Sequence, residues 1–122
     1  MIYIVDFGSQ VTQLIARRVR EAGVYCEIVS NRNLISKIKV NLPSGIIFSG
    51  GPASVHKSRT PKIDQKIFEL KIPILGICYG MQLIVHQLGG KVEISNQREF
   101  GKTLITQKSK SKLFHGVKLK NN

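Results

Sequence analysis

The sequence predicts an α/β domain built on an open, mostly parallel sheet with helices on both faces. Three observations predict it. Strand-like and helix-like segments alternate along the chain. The strand-like runs are continuously apolar, as strands covered on both faces are, and lack the polar alternation of half-exposed strands. The three most glycine-rich places, Asp6-Phe7-Gly8-Ser9, Ser49-Gly50-Gly51-Pro52 and Cys78-Tyr79-Gly80, each follow the carboxyl end of a predicted strand. In such sheets ligands bind beyond the carboxyl ends of the strands, at a switch in strand order.

The elements follow in order. Ile2–Asp6 is an apolar strand, and Phe7-Gly8-Ser9 turns the chain with Ser9 as N-cap. Residues 10–22 have helical period, with Val11, Leu14, Ile15 and Val19 on one face and Arg17, Arg18 and Glu21 elsewhere. Gly23 is placed to end that helix as a C′ glycine. Residues 24–29 form a second strand, 31–40 a short helix or a loop, and Gly45–Phe48 a third strand. After a loop over 53–60, Pro61 occupies an N1 position and opens a helix to about Leu70. A fourth strand over 73–77 runs into a helix over 79–88, which Gly89-Gly90 breaks. Residues 91–94 and 103–106 look like further strands. No internal repeat, low-complexity linker or domain boundary interrupts the 122 residues, which read as one domain.

Composition narrows the class. Hydrophobic residues make up 42% and charges are scattered, as in a soluble globular protein. No apolar run approaches the roughly 18 residues that a membrane helix needs. The start meets an acid at Asp6 without a basic leader, so no signal peptide is expected. Cys26 and Cys78 form neither a CxxC pair nor a zinc spacing, and both are expected to be free thiols in a reducing cytoplasm. The net charge of +12 raises the question of a nucleic-acid partner. The basic residues are mostly single lysines without interleaved aromatics, which argues against one. Residues 102–122 carry six lysines and no acid, and read as a solvated end.

The segment Gly76-Ile77-Cys78-Tyr79-Gly80 carries the chemistry. One cysteine stands at a strand-to-helix corner with a glycine two residues to either side, the spacing of a nucleophile elbow. The nucleophile of such an elbow sits in a cramped backbone conformation, and side chains at Gly76 and Gly80 would collide across the turn. The helix that follows points its amides and positive dipole end at the sulfur and favours negative charge there. The competing reading is a small buried core cysteine. A thiolate attacking an acyl group also needs an oxyanion hole. The backbone N–H of Tyr79 supplies one donor. Gly50-Gly51 is the best source of a second, because backbone amides approach a substrate there without side chains in the way. Gln82 lies one helical turn after Cys78, placed either to bond an acyl substrate or as an ordinary surface glutamine.

These residues carry a family resemblance. Asp6-Phe7-Gly8-Ser9-Gln10, Ser49-Gly50-Gly51-Pro52, Gly76 to Gln82, Gln87-Leu88-Gly89-Gly90 and Arg98-Glu99-Phe100-Gly101 occur in this order. Together they resemble class I glutamine amidotransferases, of flavodoxin-like fold. The opening segment, the Val24-Tyr25-Cys26-Glu27 stretch and the box at 98–101 point more narrowly to the GMP synthetase family. The resemblance runs to about Gly116. It implies that Cys78 attacks the side-chain amide of glutamine, with Gly51 and Tyr79 as backbone oxyanion donors, and Gly50 and Gln82 binding substrate. It implies that the ammonia released serves an ATP-pyrophosphatase domain or subunit that aminates xanthosine monophosphate to GMP.

One departure bears on activity. The family's cysteine works with a His and a Glu in a downstream H-x-E segment that these 122 residues do not match. The expectation is therefore a partial domain, its C-terminal part missing, inactive by itself. His86 lies about 12 Å beyond Cys78 along the same helix at about 1.5 Å per residue, too far to touch the sulfur. His56, in the loop after Gly51, matches no catalytic position, and His115 aligns with a Ser111–Gly116 stretch of the family instead of the H-x-E segment. Losing general acid–base help costs about 10²–10⁴-fold. No P-loop-like phosphate cradle is present, so no cofactor is expected on this chain. Two alternatives remain: a non-catalytic module that docks on a separate synthetase subunit, and a basic nucleic-acid binder. A cysteine-elbow hydrolase of the same fold leaves the box at 98–101 unexplained.

Overall fold

A computed structural model of the chain describes residues 1–51 and 62–92, together with Leu113 and Gly116. The chain divides into two compact units, Met1–Val92 and Glu93–Asn122. In the second, Leu113 is exposed and Gly116 has a φ of +77°. All the described strands and α-helices lie in the first: β1 (Ile2–Asp6), α1 (Val11–Glu21), β2 (Cys26–Ser30), α2 (Leu34–Val40), β3 (Gly45–Phe48), β4 (Ile74–Gly76) and α3 (Tyr79–Gln87), with a 3₁₀ segment at Gln65–Leu70.

The four strands form one parallel sheet in the order β2-β1-β3-β4. The chain steps from β1 to one side, then crosses back over β1 to β3. Right-handed crossovers in opposite directions place successive helices on opposite faces. The core divides accordingly. Ile4 and Cys26 pack with Ala16 of α1 on one face. Tyr3, Val5, Val29, Ile46 and Phe48 pack with Leu34 and Ile38 of α2, Ile67 and Leu83 on the other. Successive strand residues point to opposite faces, so a strand covered on both sides must be apolar throughout. The predicted fold class is the observed one. The reversal of direction falls between β1 and β3, which makes their carboxyl ends the switch point.

Helix α1 departs from its predicted face. Thr12 and Ala16 are buried with Ile15 and Val19 beside them, while Val11 and Leu14 are 46% and 49% exposed. The inward stripe is 12, 15, 16, 19, a regular i, i+3, i+4, i+7 set whose first member is polar. Small Ala16 lets the helix lie close on Ile4 and Cys26. The C-terminal end of α1 agrees with expectation; at the other end the cap position falls on Gln10, one residue after Ser9, with no side-chain cap. Ser9 Oγ accepts the Val11 N–H at 3.0 Å, and helical dihedrals begin at Gln10. Gly23 adopts φ +83°, its N–H donates to the Arg20 carbonyl at 2.9 Å, and the Val24 N–H donates to the Val19 carbonyl at 3.3 Å. That pair of bonds is a Schellman motif. It takes Val24 out of the following strand, which starts at Cys26, two residues later than predicted.

The ambiguous segment after β2 is helical. The buried Tyr3 hydroxyl closes its end, donating to the Asn41 carbonyl at 3.0 Å, with the Lys37 carbonyl at 3.4 Å. Burial, with the Glu27 charge second, raises the Tyr3 pKa above the ordinary tyrosine value.

The helix expected from Pro61 is instead the 3₁₀ segment from Gln65, and Pro61 itself lies outside the described residues. Asp64 sets its start by accepting the Lys66 N–H at 3.0 Å, and Lys71 ends it at φ 58°. Gln87 of α3 clamps the preceding stretch. Its amide donates to the Ile63 carbonyl at 2.8 Å and accepts the Ile63 N–H at 3.1 Å. Gln87→Ala is expected to cost about 1–2 kcal/mol in urea unfolding; an unchanged midpoint would show that the clamp contributes nothing.

The strand expected at 103–106 lies outside the described residues, and Lys91 and Val92, the described part of the one expected at 91–94, are not in a strand. Among the described residues no helix is long and apolar enough to cross a membrane.

Candidate active site

The carboxyl ends of three strands finish level. Val5 is registered on Phe48, and Phe48 on Gly76. Gly50 and Cys78 each lie two residues beyond that line, so the turns after β3 and β4 emerge side by side. A Cβ placed on Gly50 would sit 3.5 Å from Cys78 Cβ and 3.5 Å from Ser9 Oγ. The three glycine-rich turns that the sequence singled out therefore converge at one place.

Cys78 stands at the sharp corner between β4 and α3 with φ 54° and ψ −117°. This is a left-handed conformation that a non-glycine residue adopts at a cost of about 1–3 kcal/mol. The corner starts the helix at once: the Cys78 carbonyl accepts the Met81 and Gln82 N–H groups at 3.1 and 3.2 Å. It also leaves Cys78 exposed. The core-cysteine reading fits the other thiol, since Cys26 is buried and donates to the Ala16 carbonyl at 3.4 Å.

The flanking glycines are required by close approach, although not to each other. A Cβ on Gly76 would lie 2.7 Å from Met81 N and Cα in the first turn of α3. A Cβ on Gly80 would run into the Phe48 backbone of β3, 2.6 Å from its carbonyl carbon. Gly80 is thus spaced against the neighbouring strand, a non-local contact.

Tyr79 is the first residue of α3, so its N–H precedes the helix's own acceptors. The Gly80 N–H donates to the Ser49 carbonyl at 3.1 Å and the Ile77 carbonyl at 3.0 Å. The Tyr79 ring turns inward, edge-on to Phe7 at 5.4 Å. A Cβ on Gly51 would meet Phe7 Cβ and the Phe7 carbonyl oxygen at 3.3 Å and Tyr79 Cδ1 at 3.4 Å. Among the described residues the Gly51 N–H has no hydrogen-bond partner. Gln82 is half-buried one turn after Cys78, and its side-chain amide has no hydrogen bond among the described residues. His86 is exposed in the last turn of α3, away from the corner. His56 and His115 lie outside the described residues.

Two residues beside the site took no role from the sequence, although Ser49 opens one of its glycine-rich turns. Thr12 and Ser49 are buried beside each other, with their hydroxyl oxygens 2.9 Å apart. The available signal was a threonine opening the 12, 15, 16, 19 stripe of α1, a polar group in a core-facing slot. Among the described residues no group of acids, histidines and cysteines could hold a metal ion.

The site thus sets an exposed thiol on a strained corner, beside the glycine turn that follows β3. The chain belongs to the glutamine amidotransferase class-I family, whose model matches residues 3–121. It is 56% identical over 117 residues to the GMP synthase (glutamine-hydrolyzing) of Clostridium perfringens and 58% identical over 117 residues to that of Acetivibrio thermocellus. Each match covers 96% of this chain and 23% of the relative, so the chain spans about a quarter of the length of these curated relatives. A solved structure from Thermoplasma acidophilum, assigned as one of the subunits of a GMP synthase, superposes with a TM-score of 0.68 at 32% identity. That match covers 96% of this chain and 59% of the other.

Proposed function

We propose that the chain carries the nucleophile-bearing part of a glutamine-hydrolysing site. The observation that carries this reading is the exposed, strained Cys78 beside Gly50 and Gly51, in a chain of this family. The Cys78 thiolate adds to the side-chain amide carbon of glutamine, and the amide oxygen takes up negative charge. The Tyr79 and Gly51 N–H groups stabilise that oxyanion, with Gly50 leaving room for substrate and Gln82 bonding it. The C–N bond then breaks. The nitrogen leaves as ammonia after gaining a proton, and a γ-glutamyl thioester remains on Cys78. Water hydrolyses the thioester to glutamate and frees the thiol.

The proton transfers need an acid–base group. His86, the one histidine among the described residues, stands too far along α3 to provide it. The base therefore comes from outside the described residues. The resemblance to GMP synthases supports the fate of the ammonia: amination of xanthosine monophosphate by an ATP-pyrophosphatase domain, on the same chain or a separate one.

Covalent capture tests the nucleophile without requiring turnover. A glutamine-mimicking diazoketone is expected to form a single adduct, on Cys78, which excess glutamine suppresses; buried Cys26 stays unmodified. Absence of the adduct, or an adduct that glutamine does not protect against, would overturn the reading.

A further inference from the structure

We infer that Thr12 and Ser49 are positioning residues for this reaction, joined in a buried hydroxyl chain that holds Gly50 and Gly51 in place against Cys78. The inference rests on the role proposed for Cys78. Thr12 and Ser49 are 1% and 0% exposed, and each carries an aliphatic hydroxyl into the core. An apolar pair of the same shape could fill such a position at little cost to stability. These hydroxyls instead lie at the switch point, where β1, α1 and β3 meet.

The distances decide where the protons go. Ser49 Oγ lies 2.6 Å from the Val5 carbonyl oxygen, a separation that requires a hydroxyl proton between them. Ser49 has one such proton, so it donates to Val5. Thr12 must then be the donor to Ser49 Oγ at 2.9 Å, shared with Asp6 Oδ1 at 3.2 Å. Asp6 Oδ1 also accepts the Gly8 N–H at 2.8 Å, which pins the turn leading to Ser9.

Ser49 is the hub. Its N–H donates to the Val5 carbonyl at 3.2 Å, and its own carbonyl accepts the Gly80 N–H at 3.1 Å. One residue therefore ties the end of β1 to the first turn of the cysteine elbow, and the next residue is Gly50. Without the Thr12 hydroxyl, the Ser49 side chain loses its donor and the 49–51 backbone gains freedom to shift. Oxyanion donors work only within a few tenths of an ångström of the developing charge, and about 1 Å of misplacement costs about 100-fold in rate.

The test compares Thr12→Val, which keeps the shape and removes the hydroxyl, with Thr12→Ser, which keeps the hydroxyl. In the full chain, Cys78 is modified by the glutamine-mimicking diazoketone and by iodoacetamide, which needs no oxyanion hole. Thr12→Val is expected to lower the ratio of the two rates about tenfold, a part of the penalty for full misplacement. Thr12→Ser is expected to restore the ratio to within about threefold of the parent. A parent-like ratio in Thr12→Val would overturn the inference. Amide hydrogen exchange gives a reading independent of glutamine chemistry. Thr12→Val should speed exchange at Gly50 and Gly51 and leave β2 unchanged, whereas unchanged exchange at 50 and 51 would also overturn the inference. If the diazoketone shows no preference for the parent site, the proposed function fails, and exchange still decides the positioning role.

Discussion

Gly80→Ala is expected to destabilise the chain by about 3 kcal/mol or more, the high end of overpacking penalties. The added methyl has nowhere to go. It would lie 2.6 Å from the carbonyl carbon and Cβ of Phe48. Phe48 is fully buried and paired in register with Val5 on one side and Gly76 on the other, so β3 cannot retreat. Helix α3 cannot retreat without losing the Gly80 bond to Ser49. Gly23→Ala is the control. A Cβ there meets nothing within 4 Å, and only the φ of +83° opposes it, at about 1 kcal/mol. Urea unfolding with unchanged m-values measures both. A Gly80→Ala midpoint equal to that of Gly23→Ala would show that α3 and β3 are not in such close contact.

Cys78→Gly and Cys78→Ala are both expected to abolish diazoketone labelling, since each removes the sulfur. They should separate in stability. Cys78 holds φ 54° and ψ −117°, at a cost of about 1–3 kcal/mol for a residue with a Cβ. Glycine removes that strain and gives back about 0.5–1 kcal/mol through greater freedom of the unfolded chain. The exposed thiol leaves little burial to lose. Cys78→Gly should therefore be more stable than the parent by about 1 kcal/mol, and Cys78→Ala about equal to it. A Cys78→Gly protein less stable than Cys78→Ala would mean that the corner stores no strain.

Both predictions concern positions that were visible in the sequence for partly different reasons than the structure supplies. The spacing of Gly76, Cys78 and Gly80 marked a strand-to-helix corner, and the corner is there. The supposed collision between the two glycine positions is not. Gly76 is close to its own helix, but Gly80 is close to β3, some thirty residues earlier in the chain. That contact exists because β3 and β4 are neighbours in register, which no local pattern specifies. The same holds for α1. Its C-terminal end followed from Gly23, and its start fell within a residue or two of Ser9. Its buried face did not, because scoring Thr12 as polar shifted the apparent stripe toward Val11 and Leu14. Thr12 is accepted in the core only because Ser49 and Asp6, from two other strand ends, satisfy its hydroxyl.

By itself the sequence determined what local stereochemistry determines: continuously apolar strands, left-handed turns at glycine, a capped helix, and a cysteine in a cramped corner. These depend on residues a few positions apart, and so leave a mark in the string. The strand order β2-β1-β3-β4 was decided only by the tertiary structure. With it came the meeting of three turns at one switch point and the hydroxyl chain that aligns Gly50 with Cys78. The hydroxyl chain joins Thr12 to Ser49, 37 positions apart in sequence, and Ser49 to Val5, 44 apart, where register and packing between strands set the distances.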